Sequence, residues 1–176
     1  MCTLVVLTFV VVIGGCTART PPASTNSGLP TMVAGWRAPT EEETNQDWRN
    51  DDANRYLVAH GDFNGDGTPD EARLLVKADG SGMALFAFVS WNGSSIPILL
   101  DEIDKDGWLD AMGVSLAPPG RYRTACGKGY VDCEPGEPEE LHLQHPAIDY
   151  FKEGSANSFF HWDFPRGAFK RTWMSD

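Results

Sequence analysis

Residues 62–70 read DFNGDGTPD. Asp62, Asn64 and Asp66 recur at every second position, Gly67 follows, and Asp70 closes the stretch. With Asp62 as position one, oxygen-bearing side chains fall at positions one, three, five and nine, and Thr68 at position seven can offer its backbone carbonyl. This is the donor chemistry of a hard cation. Ca²⁺ takes about six to eight oxygens at about 2.3–2.6 Å, and alternate positions of a tight loop can bring them to one point. Gly67 stands where such a loop must turn sharply. Without a cation, three carboxylates held this close would repel one another. A metal-free turn is the other reading, because Asn-Gly and Asp-Gly form hairpin turns and Asx side chains bond their own backbone.

A second stretch, EIDKDGWLD, repeats the spacing 40 residues later. Glu102, Asp104, Asp106, Gly107 and Asp110 take positions one, three, five, six and nine, which marks them as a possible second metal set. An apolar run precedes each loop and a mixed strand follows, so the two could be an internal strand–loop–strand repeat. A polar hairpin turn that shares the spacing by chance is the alternative. Trp108 and Leu109 are unusual inside an exposed calcium loop.

The first loop resembles the EF-hand loop in spacing but departs from it at position twelve, where Arg73 replaces the expected bidentate Glu. Its flanks read as strands, not helices. A β-flanked D-x-N-x-D-G-x-x-D loop is similar instead to the calcium loops of FG-GAP and VCBS-type repeats. That resemblance covers roughly Leu57 to Val76. It implies Asp62, Asn64, Asp66 and Asp70 as side-chain ligands and Thr68 as a carbonyl ligand for Ca²⁺.

Other chemistry is sparse. G-x-S-x-G, H-E-x-x-H and Walker patterns do not occur in the sequence. His142 and His145 would point to opposite faces if ELHLQ is a strand, and so could not share a metal. His60 and His161 are single histidines in apolar strands, expected to be packed. Glu134, Glu137, Glu139 and Glu140 form an acidic run broken by prolines, which reads as a solvated loop or part of an acidic docking face. The aromatic C-terminal stretch FFHWDFPRGAFKRTW is expected to be mostly core, with a sugar-binding platform as the alternative. A carboxylate pair for glycoside hydrolysis stays open, because its geometry is invisible in a sequence.

The surroundings of these residues point to export. Leu4–Ile13 is an apolar run interrupted only by Thr8, too short for a membrane-spanning helix. It reads as a signal-peptide core and is followed by Gly14, Gly15 and Cys16. Ile13-Gly14-Gly15-Cys16 resembles the lipobox of bacterial lipoproteins, although no Lys or Arg precedes the run. The resemblance implies acylation of Cys16. Thr17 in place of Asp then implies sorting to an outer membrane, with the protein facing the periplasm. Of the four cysteines, Cys126 and Cys133 remain to pair across a short loop, with Gly127 and Gly129 allowing a tight turn. A disulfide suits an oxidising compartment, whereas two thiols without a nearby His are a poor zinc set and the spacing is not C-x-x-C.

Positioning falls to a single domain. Residues 1–15 read as signal peptide, 16–35 as the lipidated cysteine and a Pro/Ser/Thr-rich tether, and 36–176 as one calcium-binding domain. Thr40 with Glu43 fits a capping box, so a short helix is expected there, while the polar DWRNDDANR should loop. From Tyr56 onward, YLVAH, EARLLVKA, GMALFAFVSW, IPILLDE, RYRTA, ELHLQ and NSFFHWDF read as strands between Gly, Pro, Asn and Asp. The expected fold is all-β and mostly antiparallel, a meander or sandwich with a blade-like repeat possible. A net charge of −11 argues against nucleic acid and suits cations or a basic protein. The leading expectation is a non-enzymatic envelope lipoprotein that binds another protein. In export signal, size and charge it resembles inhibitors or immunity proteins of basic peptidoglycan hydrolases. A glycan- or peptidoglycan-binding module is second and an undetected hydrolase third.

Overall fold

In EARLLVKA, Ala72, Leu74 and Val76 alternate with Glu71, Arg73 and Lys77, and the structure buries the first set and leaves the second at the surface. This period of two carries most of the architecture. The structure, a computed structural model, describes residues 33–49, 52 and 54–175. The signal peptide, Cys16 and nearly all of the tether lie outside the described residues.

Eleven strands follow in order: β1 (Trp36–Arg37), β2 (Val58–Gly61), β3 (Asp70–Lys77), β4 (Met83–Trp91), β5 (Ser94–Ile103), β6 (Met112–Ala117), β7 (Gly120–Arg123), β8 (Glu140–Leu143), β9 (Ala147–Lys152), β10 (Asn157–Asp163) and β11 (Ala168–Trp173). The first sheet runs β1-β3-β4-β5, with β2 also on β3. The second runs β11-β10-β9-β6, and β7 pairs with β8 in a separate hairpin. Every pairing is antiparallel. The domain is all-β, as the sequence reads, and no α-helix occurs among the described residues.

Leu74, Leu85 and Val89 of the first sheet share one buried cluster with Val114, Ile148, Tyr150 and Phe160 of the second. Each such side chain contributes about 1.5–3 kcal/mol when taken from water. β4, apolar on both faces, lies between β3 and β5 as its composition requires. Its second face, with Leu75 of β3, forms a smaller cluster of Ala84, Phe86 and Phe88, against which Val33 and Trp36 pack. The β7–β8 hairpin covers part of the outer face of the second sheet through Leu141, Leu143, Ala147, Phe159 and Met174. Cys126 and Cys133 are disulfide-bonded in the connection between β7 and β8. Gly127 is needed there because a Cβ would lie 2.0 Å from the Glu139 carbonyl oxygen.

The two polar N-terminal stretches behave differently from each other. Thr40 and Glu43 do form the capping box: the Thr40 amide donates to Glu43 Oε2 (2.8 Å) and the Glu43 amide to Thr40 Oγ1 (3.3 Å). The expected helix shortens to a 3-10 turn over Glu42–Thr44. DWRNDDANR, expected to loop, begins with a second 3-10 turn over Asp47–Arg49, and Arg49 is 1 % exposed. Its guanidinium donates to the carbonyls of Arg55 (2.6 Å), Leu109 (3.1 Å) and Met112 (3.0 Å). The N-terminal segment is thereby fastened to the connection between the sheets.

The Arg37 guanidinium, bidentate on Glu43 at 2.7 Å, holds the Glu43 carboxyl down at about 2. A folded-state pKa below the ordinary 4.5 contributes stability above pH 4.5 that is lost as pH falls toward 2. Glu43→Gln should therefore lower the melting temperature at pH 7, reflecting a stability loss of about 1 kcal/mol for the lost cap and half-exposed pair. The gap to wild type should close as thermal melts are repeated from pH 5 down to pH 2.

Candidate functional site

The DFNGDGTPD loop joins β2 to β3, which pair directly with each other. Asp70 opens β3 and is 2 % exposed. Its Oδ2 accepts the Phe63 amide (2.9 Å) and the Asn64 amide (3.4 Å), and its Oδ1 accepts the Ser90 amide of β4 (2.8 Å). Burial pushes the Asp70 carboxyl up from its ordinary value, only partly offset by these amides. Asp62 accepts the Asp66 amide (3.0 Å) and the Gly67 amide (2.9 Å). Asn64 Oδ1 takes the same Asp66 amide at 3.0 Å, and Asn64 Nδ2 donates to Asp66 Oδ2 at 3.2 Å. The Thr68 amide donates to Asp66 Oδ1 (2.7 Å) and holds that carboxyl below its ordinary range. Asp62, Asn64 and Asp66 thus converge within the loop, while Asp70 turns its carboxylate to backbone amides at the base. Among the described residues, no Lys, Arg or His forms an ion pair with Asp62, Asp66 or Asp70. Arg73, at position twelve, pairs with Glu71.

The second acidic set is arranged otherwise. Glu102 lies on β5 and its Oε1 is 2.8 Å from Lys77 Nζ; Asp104 pairs with the same lysine, which holds the Asp104 carboxyl low. Asp110 accepts from Gln46 Nε2 (3.1 Å), and Asp106 lines a small cavity with Glu43 and Lys105. This loop crosses from β5 of one sheet to β6 of the other, so the two strand–loop–strand units are not equivalent. Among the described residues, no three His, Cys, Asp or Glu side chains gather as a metal-holding group. In the first loop the third converging side chain is an asparagine.

Beside the first loop lies a cleft of about 150 Å³, lined by Phe63, His142, Gln144, His145, His161, Trp162 and Phe164 among others. His142 and His145 line it together, contrary to the alternation of a continuous strand. β8 ends at Leu143, and the chain bends through 144–146. The His145 ring lies flat on the loop: a Cβ at Gly65 would meet its Cε1, Nε2 and Nδ1 at 2.7, 2.8 and 2.9 Å. His161 Nε2 is 3.1 Å from Thr172 Oγ1, and burial pushes its pKa down. His60, expected to be packed, is exposed beside Glu71. Of the C-terminal aromatics, Phe159 and Phe160 are core, whereas Phe164 is 53 % exposed.

A second concavity gives no sequence signal. On the outer face of the second sheet, Asp149 accepts from Asn157 Nδ2 (3.0 Å) and Ser115 Oγ (3.2 Å), and burial pushes its carboxyl up. Its groove is bordered by Trp48, Tyr56 and Phe151. Trp48 and Tyr56 stack at 5.6 Å, but Arg49 lies over Trp48 and Arg55 over Tyr56. These rings serve packing.

No protein-family model, curated protein or solved structure matches the chain.

Gly65 has φ +74°, a left-handed conformation that costs a residue with a Cβ about 1–2 kcal/mol. Gly65→Ala should lose more than this, because its methyl also overlaps the His145 ring. In urea melts, Gly65→Ala with His145→Ala should be less destabilised than the sum of the singles, by at least about 0.5 kcal/mol.

Proposed function

We propose that this chain is a lipid-anchored, calcium-stabilised binding module of the cell envelope, held through Cys16 and facing the periplasm, and not an enzyme. The observation that carries the reading is the uncompensated charge of the first loop. Asp62, Asp66 and Asp70 stand within one turn with no cation paired to them among the described residues. Asp62, Asn64 and Asp66, with the Thr68 carbonyl and Asp70 at the base, are the oxygens that would hold Ca²⁺. A bound ion would supply the charge the loop lacks. The Cys126–Cys133 disulfide fits an oxidising compartment. The chain charge of −11 favours a basic envelope protein as partner, in the manner of an inhibitor or immunity protein against a basic peptidoglycan hydrolase.

Calcium that binds only the folded loop stabilises it by RT ln(1 + [Ca²⁺]/Kd), about 2.7 kcal/mol at a hundredfold excess over Kd. The melting temperature should rise with calcium and fall with chelator. Magnesium should substitute poorly, because it demands strict octahedral geometry. Asp66→Asn keeps the shape, removes one charge and should abolish most of the shift. A wild-type melt indifferent to both calcium and chelator would reduce the loop to an Asx turn.

The anchor has its own test. Cys16→Ser should abolish incorporation of labelled palmitate and release the protein from membranes. Unlabelled wild-type protein retained on membranes as fully as the variant would remove the lipoprotein reading.

A further inference from the structure

Three of the chain's four histidines, His142, His145 and His161, line the single cleft beside the first loop. Its walls are fixed from three sides. Phe63, fully buried, forms the loop side, and Gly65 of the same loop lies against the His145 ring. Gln144 and His145 come from the bend after β8, and Trp162 and Phe164 from the end of β10 and its turn. That turn is closed by the Gly167 amide on the Asp163 carbonyl (2.8 Å) and by the Arg166–Asp163 pair. Trp162 is braced edge-on by Phe169 at 5.1 Å, and Phe164 stands 5.3 Å from the His145 ring.

The lining combines two features. Phe164 offers a large, half-exposed apolar face at the rim. His142, Gln144 and His145 offer planar nitrogen and oxygen donors and acceptors. Of the charged groups flanking the lining, Glu140 is spent on His142 and Asp163 on Arg166. The lining itself carries no Lys, Arg, Asp or Glu, so a ligand seated in the cleft meets no formal ion-pair partner there, and the histidines do not form a metal group. The chemistry matches a ligand with an apolar face and an uncharged hydroxyl rim. Such a ring stacks on an aromatic side chain while imidazole and amide groups take its hydroxyls.

We infer that this cleft is a binding site for a pyranose ring of an uncharged oligosaccharide, with Phe164 as the stacking platform and His142, Gln144 and His145 as the hydroxyl partners. This goes beyond the docking of a basic protein. It does not depend on calcium, since the loop wall is already set by the amide contacts of Asp70.

The test is calorimetric titration of the purified chain with chitotetraose, cellotetraose and maltotetraose in turn. At least one should bind. Phe164→Ala should weaken that binding by about tenfold or more, equivalent to a lost stacking contact. His142→Gln, at a half-exposed position, should weaken it less, and neither change should move the melting temperature. Trp91→Ala, which removes an equally exposed ring outside the cleft, should leave binding unchanged. Failure of all three sugars to bind at millimolar concentration overturns the site, as does binding indifferent to Phe164→Ala. If no sugar binds but Phe164→Ala abolishes capture of a basic muramidase, the cleft belongs to a protein-docking face instead. The calcium-dependent melt is unaffected by any of these outcomes, so the two readings fail separately.

Discussion

The Asp70 carboxylate is where the two halves of the first sheet and the acidic loop are tied together. A carboxylate this deeply buried is costly unless its oxygens are bonded. Here three amides meet it, two from the loop and one from Ser90 on β4. Desolvation still outweighs them, since the carboxyl is pushed up overall. The consequence is positional. With Asp70 fixed, Phe63 is drawn fully into the core and the loop folds back over its own amides. Gly65 is then presented to His145, and that contact sets one wall of the histidine cleft. A change at Asp70 would thus be felt in sheet pairing, loop shape and cleft together.

Arg49 performs a comparable task on the other side of the molecule. Its guanidinium reaches three carbonyls, among them Leu109 in the connection between the sheets and Met112 at the start of β6, so a polar segment with only a 3-10 turn is locked to the core. Nearby, Tyr56 takes φ 63°, a conformation that costs a bulky residue about 1–2 kcal/mol. Stacking on Trp48 at 5.6 Å and edge contact with Phe151 at 5.4 Å, each worth about 0.5–1.5 kcal/mol, offset it. Gly113 leaves room for the Phe151 ring, which would lie 2.3 Å from any Cβ there. The entire aromatic group serves to hold a strained backbone in place.

The first sheet was largely legible in the sequence and the second was not. β2, β3, β4 and β5 correspond to runs whose period of two or continuous apolarity is unbroken. β9 and β11 escaped notice because AIDYFK and AFKRTW carry Asp, Lys or Arg within the run, and β6 was read only as the mixed strand after the second loop. Ser115 and Asp149 lie on the outer face, where Asp149 accepts from Ser115, whereas Arg171 shares the inner face with Phe160 and pairs with Asp101 of the first sheet. Arg49 was illegible for a different reason. Composition marks its segment as polar, and only tertiary carbonyl partners make burial of the guanidinium tolerable. The shared cleft of His142 and His145 depended on where β8 stops, and strand ends are set by the bend at 144–146 rather than by periodicity.

Spacing alone also failed to separate the two acidic loops, which differ in what faces them. Each places oxygens at positions one, three, five and nine around a glycine. Lys77, at the end of β3, reaches Glu102 and Asp104, so the second loop carries its counter-charge within the protein. The pairing of β3 with β4 and of β4 with β5 makes this possible, because it brings the C-terminal end of β3 beside that of β5. At the other end of β3, Arg73 is engaged by Glu71, and the first loop satisfies its carboxylates with backbone amides and the Asn64 side-chain amide. Amides bond a carboxylate but do not cancel its charge. The register of one strand therefore sets a lysine against two carboxylates at one of its ends and leaves the carboxylates at the other without an ion-pair partner among the described residues.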